Sequence, residues 1–359
     1  MNNQFNIKIF DDISDPVLIK AWDELYQEGE TFVQSSYAWV SSWIEHNNNN
    51  KPCIVAAERN GKIVGIAPFI EISKLQMVKG LQSAPVHFGD FFSYVTTSSN
   101  RQEIIGAINT FIVTNNKWKY IKIDNVNEKD YLYKSLICKK FSRKLFTKIS
   151  ILNFKNKSYQ EYLQTLSKNR RNKTRQYLNN LNKKHQVDFV AVTDYHQYIS
   201  YFNEMRSVYT DRNEVDVNEK AYSARNSALS SLFEKKQAVL FLLIVDNKIA
   251  SYHLGFLFNN YFYSWKEAFI SEFNKFSPGV ILRILLIPEY LIGKKMSGIN
   301  YMAGDYSYKK SQIGDDGLTL QNDQFLLGRG VVGGLVVKYY LQYRDVLKAI
   351  KGKILKQGR

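Results

Sequence analysis

The sequence predicts an α/β (α+β) protein of two tandem lobes, each a mixed, mostly antiparallel sheet flanked by helices. Its 359 residues exceed what one ordinary hydrophobic core accommodates and suit two domains. Hydrophobic residues make up 45% of the chain, which is enough to bury two such cores. The order of the predicted elements also recurs along the chain, which indicates a duplicated unit.

A β-hairpin begins each repeat. Residues 52–72 are typical of two strands joined at Asn60-Gly61, and residues 238–258 of two strands joined at Asp246-Asn247. Dipeptides of this kind favour two-residue hairpin turns. An apolar helix and then a strand follow each hairpin, over residues 103–116 and 119–126 in the first repeat and over 279–295 and 299–306 in the second.

The predicted domains follow from these repeats. The boundary lies near residue 150, where residues 150–154 are typical of the first strand of the second half. The first lobe then covers residues 1–150 and the second covers 151–330. Residues 331–359 are predicted to form a basic amphipathic C-terminal helix.

Charge and cysteine content narrow the function classes. The net charge of +16 suits a phosphorylated or anionic partner, or else a basic surface without one partner. Cys53 and Cys138 have no metal-ligand spacing around them, which favours a reducing compartment and argues against a disulfide framework or a metal site. No signal-peptide layout and no apolar run long enough for a membrane span occur. We therefore expect a cytoplasmic protein, with peripheral contact to the inner face of the membrane as an added option.

One stretch of the second lobe carries an ordered set of short motifs. They are Ser277-Pro278-Gly279, Gly293, and Gly304-Asp305 with Tyr308-Lys309. This order resembles the GNAT-type acyltransferases of bacterial polysaccharide synthesis, described as CelD-like or BioF2-like and related to the FemAB peptidyltransferases. Residues 249–256 resemble that family's strand with a central histidine, here His253, and residues 166–181 resemble its arginine-rich helix. The resemblance covers most of residues 159–312 and, less closely, the first lobe. It implies two GNAT-like lobes and acyl transfer in the second.

Acyl transfer from a thioester to an amine needs an anion cradle and a base. Ser277 is suited to cap a helix, Pro278 to its first position, and Gly279, beside Val280, to close backbone approach. The start of that helix is a candidate cradle for the pyrophosphate of acyl-coenzyme A, and Lys309 can contact phosphate. The alternative is a well-capped helix with no ligand. No metal is expected.

His253 is the first candidate for the base, because histidine titrates near neutral pH. Ala67 takes its place in the first lobe, which is therefore predicted to be a degenerate scaffold. Glu267 is the alternative base, while Asp305 would orient His253 or hold the amine. Tyr308 would protonate the leaving thiolate or bind substrate. A hydrogen-bonded core histidine and a solvent-facing glutamate are the competing interpretations.

Two further features bear on the substrate. Trp265 lies near Glu267 on the same predicted strand and would line an acceptor pocket, or else belong to the core. Arg170, Arg171 and Arg175 lie on one predicted helix and would attract a phosphorylated substrate, or form a solvated face.

The preferred function is transfer of an acyl group from acyl-coenzyme A, acetyl or longer, to an amino group of a sugar. That sugar would be nucleotide-linked and used for a surface polysaccharide. A second hypothesis is FemAB-like transfer of an aminoacyl group from tRNA, the one case in which a nucleic acid takes part. A third is a non-catalytic adaptor at the membrane surface. The acyl group, the acceptor and the oligomeric state stay open at this level.

Overall fold

A computed structural model describes residues 5–29, 31–47, 51–74, 78–85, 88–213, 219–304, 309 and 317–343. These residues belong to two compact units. The first comprises Met1–Thr147 together with Gln321–Arg359, and the second comprises Lys148–Leu320.

The first unit alternates strands with short helices. Its elements are β1 (Asn6–Phe10), α1 (Pro16–Glu28), a 3₁₀ turn (Val33–Ser35), α2 (Tyr37–Glu45), β2 (Lys51–Arg59), β3 (Lys62–Lys74), β4 (Val78–Ser83), β5 (Val95–Thr96), α3 (Arg101–Thr114), β6 (Tyr120–Asn127) and α4 (Tyr131–Cys138). The sheet has the order β1-β2-β3-β4-β6, and only β4 and β6 in that series run parallel. Strand β7 (Ser142–Asn153) leads into the second unit.

The second unit repeats this plan. Its elements are α5 (Tyr159–Thr165), α6 (Lys168–Asn182), β8 (Val187–Val192), α7 (Tyr195–Asn213), α8 (Glu219–Glu234), β9 (Ala238–Val245), β10 (Lys248–Phe258), β11 (Tyr261–Phe269), a 3₁₀ segment (Ser271–Phe276), α9 (Pro278–Ile281), a π turn (Leu282–Leu286), α10 (Ile287–Gly293) and β12 (Gly298–Ala303). The sheet order is β8-β9-β10-β11-β12-β7, with β11 and β12 parallel. A mixed sheet with one parallel pair joined through a helix therefore occurs twice.

The predicted duplication is confirmed in the hairpins. Asn60 and Gly61 have positive φ angles of 52° and 76°, and Asp246 and Asn247 have 49° and 64°. Positive φ at both central residues is the requirement of a type I′ turn, which explains the choice of these residue types. The two hairpins also share a bulge two residues after Lys62 and Lys248, the first residues of their second strands, where the pairing skips one residue.

The division into units differs from the predicted one at its C-terminal boundary. After β12 the chain forms β13 (Gly317–Gly328), α11 (Gly330–Lys338) and a π turn (Tyr339–Tyr343). Strand β13 pairs antiparallel with β6, so the chain returns to the first unit at Gln321. The basic C-terminal helix predicted for residues 331–359 is helical from Gly330 to Tyr343, and its remainder lies outside the described residues.

Serine side chains cap the starts of α5 and of the basic helix α6. Ser158 and Glu161 form a capping box at α5, in which each side chain bonds the other's backbone N–H. The Ser167 hydroxyl accepts from the N–H of Arg170 at 3.3 Å and begins α6. Such caps satisfy N–H groups that a helix start leaves without partners.

Candidate active site

His253 and Glu267 lie opposite each other on β10 and β11. His253 is 1% exposed, and its Nε2 lies 3.3 Å from a Glu267 carboxylate oxygen. Its Nδ1 lies 3.1 Å from the Ser264 hydroxyl oxygen. Nδ1 can accept from the hydroxyl of Ser264, while Nε2 faces the Glu267 carboxylate. The two predicted bases therefore lie side by side as one pair.

Arg283 completes this arrangement. One of its terminal nitrogens donates to both Glu267 oxygens at 3.1 Å, so the carboxylate is held between an arginine and a histidine. Charge-assisted contacts of this kind fix the orientation of a carboxylate. Sequence reasoning missed Arg283, although a single arginine within the apolar run 280–292 was the signal available for it.

The π turn that carries Arg283 has a cause in the sequence. Pro288 lacks an N–H and cannot bond the carbonyl of Ile284 four residues earlier. The helix widens there, and the N–H of Ile287 bonds the Leu282 carbonyl, five residues back. The freed carbonyl of Ile284 accepts from the buried hydroxyl of Tyr162 at 3.1 Å. Turns of this type occur often at functional sites.

We expect Tyr162→Phe to lower the free energy of unfolding by about 1–3 kcal/mol, because the Ile284 carbonyl would be buried without a donor. Urea denaturation followed by circular dichroism measures the change. Tyr159→Phe, one turn earlier on α5, is the control. Equal losses in both variants would contradict a specific role for the Tyr162 hydroxyl.

A cavity of about 210 Å³ joins the His253–Glu267 pair to the predicted cradle. It lies between β10, β11 and the helical segment that begins at Pro278. Its lining residues are Ser251, His253, Glu267, Ala268, Phe269, Asn274, Ser277, Pro278, Gly279, Val280 and Arg283. The structure thus brings together both predicted bases and all four predicted residues of the helix start.

The cradle differs from its prediction in one respect. Pro278 is at the first helical position as expected, but Ser277 has left-handed backbone angles (φ 51°, ψ 56°) and its side chain makes no capping hydrogen bond. A capping serine needs extended backbone angles, so the prediction of a side-chain cap was wrong. The Ser277 carbonyl instead accepts from the N–H groups of Val280 and Ile281.

Gly279 allows the helix to approach the sheet closely. A Cβ at this position would lie 3.2 Å from Cδ1 of Phe269 and 3.6 Å from the Ser251 hydroxyl oxygen. The first distance is tighter than an ordinary contact, so any larger side chain would enter the cavity or displace Phe269.

Strands β11 and β12 part close to the His253–Glu267 pair. Among the described residues their pairing covers only Tyr261–Tyr263 with Gly298–Asn300. Strand β11 continues to Phe269, whereas β12 stays paired with β7 as far as Ala303. Glu267 therefore lies on the part of β11 beyond the pairing, where an extended ligand with amide groups can bond the strand backbone.

Of the three predicted site residues in the Gly-Asp-x-x-Tyr-Lys motif, the structure describes one. Asp305 and Tyr308 lie outside the described residues. Lys309 is 7% exposed, and its ammonium donates to the carbonyls of Tyr301 and Ala303 at 2.6 and 2.7 Å. These contacts hold the Lys309 ammonium against the backbone near the end of β12. Lys309 therefore does not line the 210 Å³ cavity, as a phosphate ligand would.

Trp265 does not join the candidate site. It is the extra residue at a bulge where the pairing shifts from Leu254–Lys266 to Gly255–Ser264. Its ring contacts the ring of Phe256, with centroids 5.4 Å apart, and it lines a separate cavity of about 40 Å³ with Tyr252. Side chains alternate along a strand, so Tyr252 points away from the face that carries His253. The predicted acceptor-pocket role for Trp265 beside Glu267 is therefore not supported.

The three predicted arginines of α6 have different surroundings. Arg170 is half-buried, and burial together with the nearby Arg283 guanidinium lowers its pKa. Arg171 donates to the Leu163 carbonyl at 3.1 Å, and Arg175 is exposed. Of the three, Arg170 is thus the one near the charged groups of the cavity.

Further observations concern metals, cysteines and membrane spans. Within the described ranges, no cluster of histidine, cysteine and acidic side chains suits a metal ion. Cys53 and Cys138 are both free thiols, and burial raises the pKa of Cys53 to about 12. The described helices include none long and apolar enough to cross a bilayer.

Residues 168–310 match the family model of the acetyltransferase (GNAT) domain. This segment contains every residue that lines the 210 Å³ cavity. A comparison with curated proteins found no match.

Several solved structures share the fold over most of the chain. FemX is 13% identical with a TM-score of 0.60, covering 86% of this chain and 96% of FemX. The C-terminal domain of a putative lysylphosphatidylglycerol synthetase from Agrobacterium fabrum is 9% identical with a TM-score of 0.54, covering 89% and 93%. A tandem GNAT protein from the clavulanic acid biosynthesis pathway is 9% identical with a TM-score of 0.50, covering 91% and 99%. The fold of this chain is therefore GNAT-like, and its residues 168–310 match a GNAT acetyltransferase domain.

Proposed function

We propose that the second unit transfers an acyl group from acyl-coenzyme A to an amino group of a nucleotide-linked sugar, for a surface polysaccharide. One observation supports acyl transfer as the class of reaction. A single cavity contains the helix start at Ser277–Gly279 and the His253–Glu267 pair, within the segment that matches an acetyltransferase domain. The sugar acceptor is supported by the resemblance of the second-lobe motifs to polysaccharide-synthesis acyltransferases.

The cavity supplies two requirements of the donor. The helical segment that begins at Pro278 presents its N-terminal end to the cavity, and such an end attracts the pyrophosphate of coenzyme A. The parted strands β11 and β12 leave space for the amide-containing arm that carries the thioester. In this arrangement the acyl carbon would lie near Glu267.

The reaction forms a carbon–nitrogen bond and breaks a carbon–sulfur bond. The amine loses one proton, and the departing thiolate gains one. The Glu267 side chain is 23% exposed and that of His253 is 2% exposed, so the amine meets Glu267 first. The Glu267 carboxylate takes the proton, and Nε2 of His253, 3.3 Å from it, orients the carboxylate together with Arg283. Tyr308, as the acid for the thiolate, stays a prediction.

We expect Gly279→Trp to weaken acetyl-coenzyme A binding by about 100-fold or more, because an indole at this position fills the cradle. Calorimetry with acetyl-coenzyme A and a longer acyl-coenzyme A measures the dissociation constants. Gly293→Trp is the matched control, because a Cβ at Gly293 meets no atom within 4 Å. Equal affinity of both variants and the parent protein would remove the cradle from the proposal. Acylated products from a panel of nucleotide-linked amino sugars, detected by mass spectrometry, identify the acceptor.

A second candidate is transfer of an aminoacyl group from tRNA. Lys168, Lys173 and Arg175 are exposed on α6, and the fold likeness to FemX covers most of the chain. Such a basic helix can bind a phosphate backbone, with an affinity that falls steeply as salt rises. Salt-sensitive binding of tRNA, with no binding of any acyl-coenzyme A, would favour this reaction over the first.

A further inference from the structure

Helix α11 is apolar on both of its faces. Its inner face carries Gly333 and Val337, which are buried, and Tyr340 follows on the same side. These side chains pack with Tyr120 and Leu326 of the first unit. A Cβ at Gly333 would lie 2.0 Å from the Lys119 carbonyl oxygen, so this face is in close contact with the backbone just before β6.

The outer face is apolar and exposed. Val331 is 82% exposed, Val332 48%, Leu335 61% and Tyr339 39%. Their spacing of three and four residues places them on one side of the helix. A helix that is apolar all round is normally buried all round, whereas the part of the chain that the structure describes leaves the outer face of α11 exposed.

The sequence that follows α11 is strongly basic. Residues 338–359 contain seven lysines and arginines and one acidic residue. Arg329 lies just before α11. Its guanidinium donates to the carbonyls of Ile112 and Val113 at the end of α3. That anchor fixes the start of α11.

We propose that the outer face of α11 docks on an anionic lipid surface, with Val331, Val332, Leu335 and Tyr339 entering the interfacial region. Aliphatic side chains next to a basic segment are the combination that binds such surfaces, through apolar burial and attraction to acidic headgroups. A second copy of the chain is a poorer occupant, since it would bring the same excess of positive charge to the contact. The proposal does not depend on the reaction assigned to the second unit.

Sedimentation of the full chain with vesicles tests this surface. We expect binding to vesicles that contain phosphatidylglycerol and little binding to phosphatidylcholine alone. The triple variant Val331→Ser/Val332→Ser/Leu335→Ser should lower the partition coefficient by about tenfold or more. The matched control is Val17→Ser/Ile137→Ser/Ile199→Ser, which removes three aliphatic side chains that are 65%, 46% and 41% exposed on other helices. That control should retain the binding of the parent protein.

A second readout follows insertion directly. With tryptophan at position 335 (Leu335→Trp), the emission spectrum should shift to shorter wavelength on phosphatidylglycerol vesicles and be quenched by brominated lipid. Unchanged vesicle binding by the α11 triple variant would overturn the proposal, as would equal binding to neutral vesicles. A dimer in sedimentation velocity that dissociates in the same variant would assign the face to a second copy instead.

Discussion

Glu267→Gln is expected to lower kcat by about 100-fold or more while the dissociation constant of acetyl-coenzyme A changes little. General-base catalysis contributes about 10²–10⁴-fold to such reactions. The substitution keeps the size of the side chain but removes the charge that meets Nε2 of His253 and the Arg283 guanidinium. Release of coenzyme A thiol, with an amino-sugar nucleotide as acceptor, measures kcat, and calorimetry measures binding.

The control for this variant is Glu272→Gln. Glu272 is an exposed glutamate in the 3₁₀ segment before the cradle, where it pairs with Lys248 at 3.1 Å. It should retain full turnover. If Glu267→Gln retains turnover while His253→Asn loses it, His253 is the base and Glu267 only positions it. If both variants are fully active, the cavity is not the reacting centre.

Local chemistry made the hairpins and the helix start predictable. Asn60-Gly61 and Asp246-Asn247 adopt positive φ at low cost, so their residue types report the turn directly. Pro278 at a first helical position is determined by its own ring in the same way. The duplication followed from these local signals because both hairpins repeat the same spacing.

The composition of the site was less predictable, because it depends on register and on breaks in regular structure. Ser264 reaches His253 across a β-bulge, and the same bulge carries Trp265 away from Glu267. Arg283 reaches Glu267 from a π turn that results from Pro288. A sequence pattern of fixed period describes regular strands and helices, and it cannot place side chains where the period changes.

The return of the chain to the first unit was unpredictable for a related reason. Strand β13 pairs with β6, about 200 residues earlier in the sequence, with Leu326 opposite Lys122. Pairing over such separation leaves no local signal, because either lobe could accept one more apolar strand at its sheet edge.

We expect Lys122→Met to lower the free energy of unfolding by about 3–5 kcal/mol, the cost of leaving one charge of a buried ion pair without its partner. The side chains of Lys122 and Asp124 are 3% and 10% exposed and form an ion pair on β6. Asp124 also accepts from the side-chain amide of Gln324 at 2.5 Å. Urea denaturation measures the loss, and Lys8→Met provides the control, because Lys8 pairs with Glu58 but is 52% exposed.

The double variant Lys122→Met/Asp124→Asn separates a structural role from a functional one. Removing both charges should recover much of the stability lost in Lys122→Met, since no unpaired buried charge remains. If the first unit is a scaffold, the double variant should bind acetyl-coenzyme A and turn over like the parent protein. Recovered stability with lost turnover would instead mean that Lys122 and Asp124 serve a substrate. The first unit would then hold a second functional site, at a buried ion pair that the lysine and aspartate of β6 form next to β13.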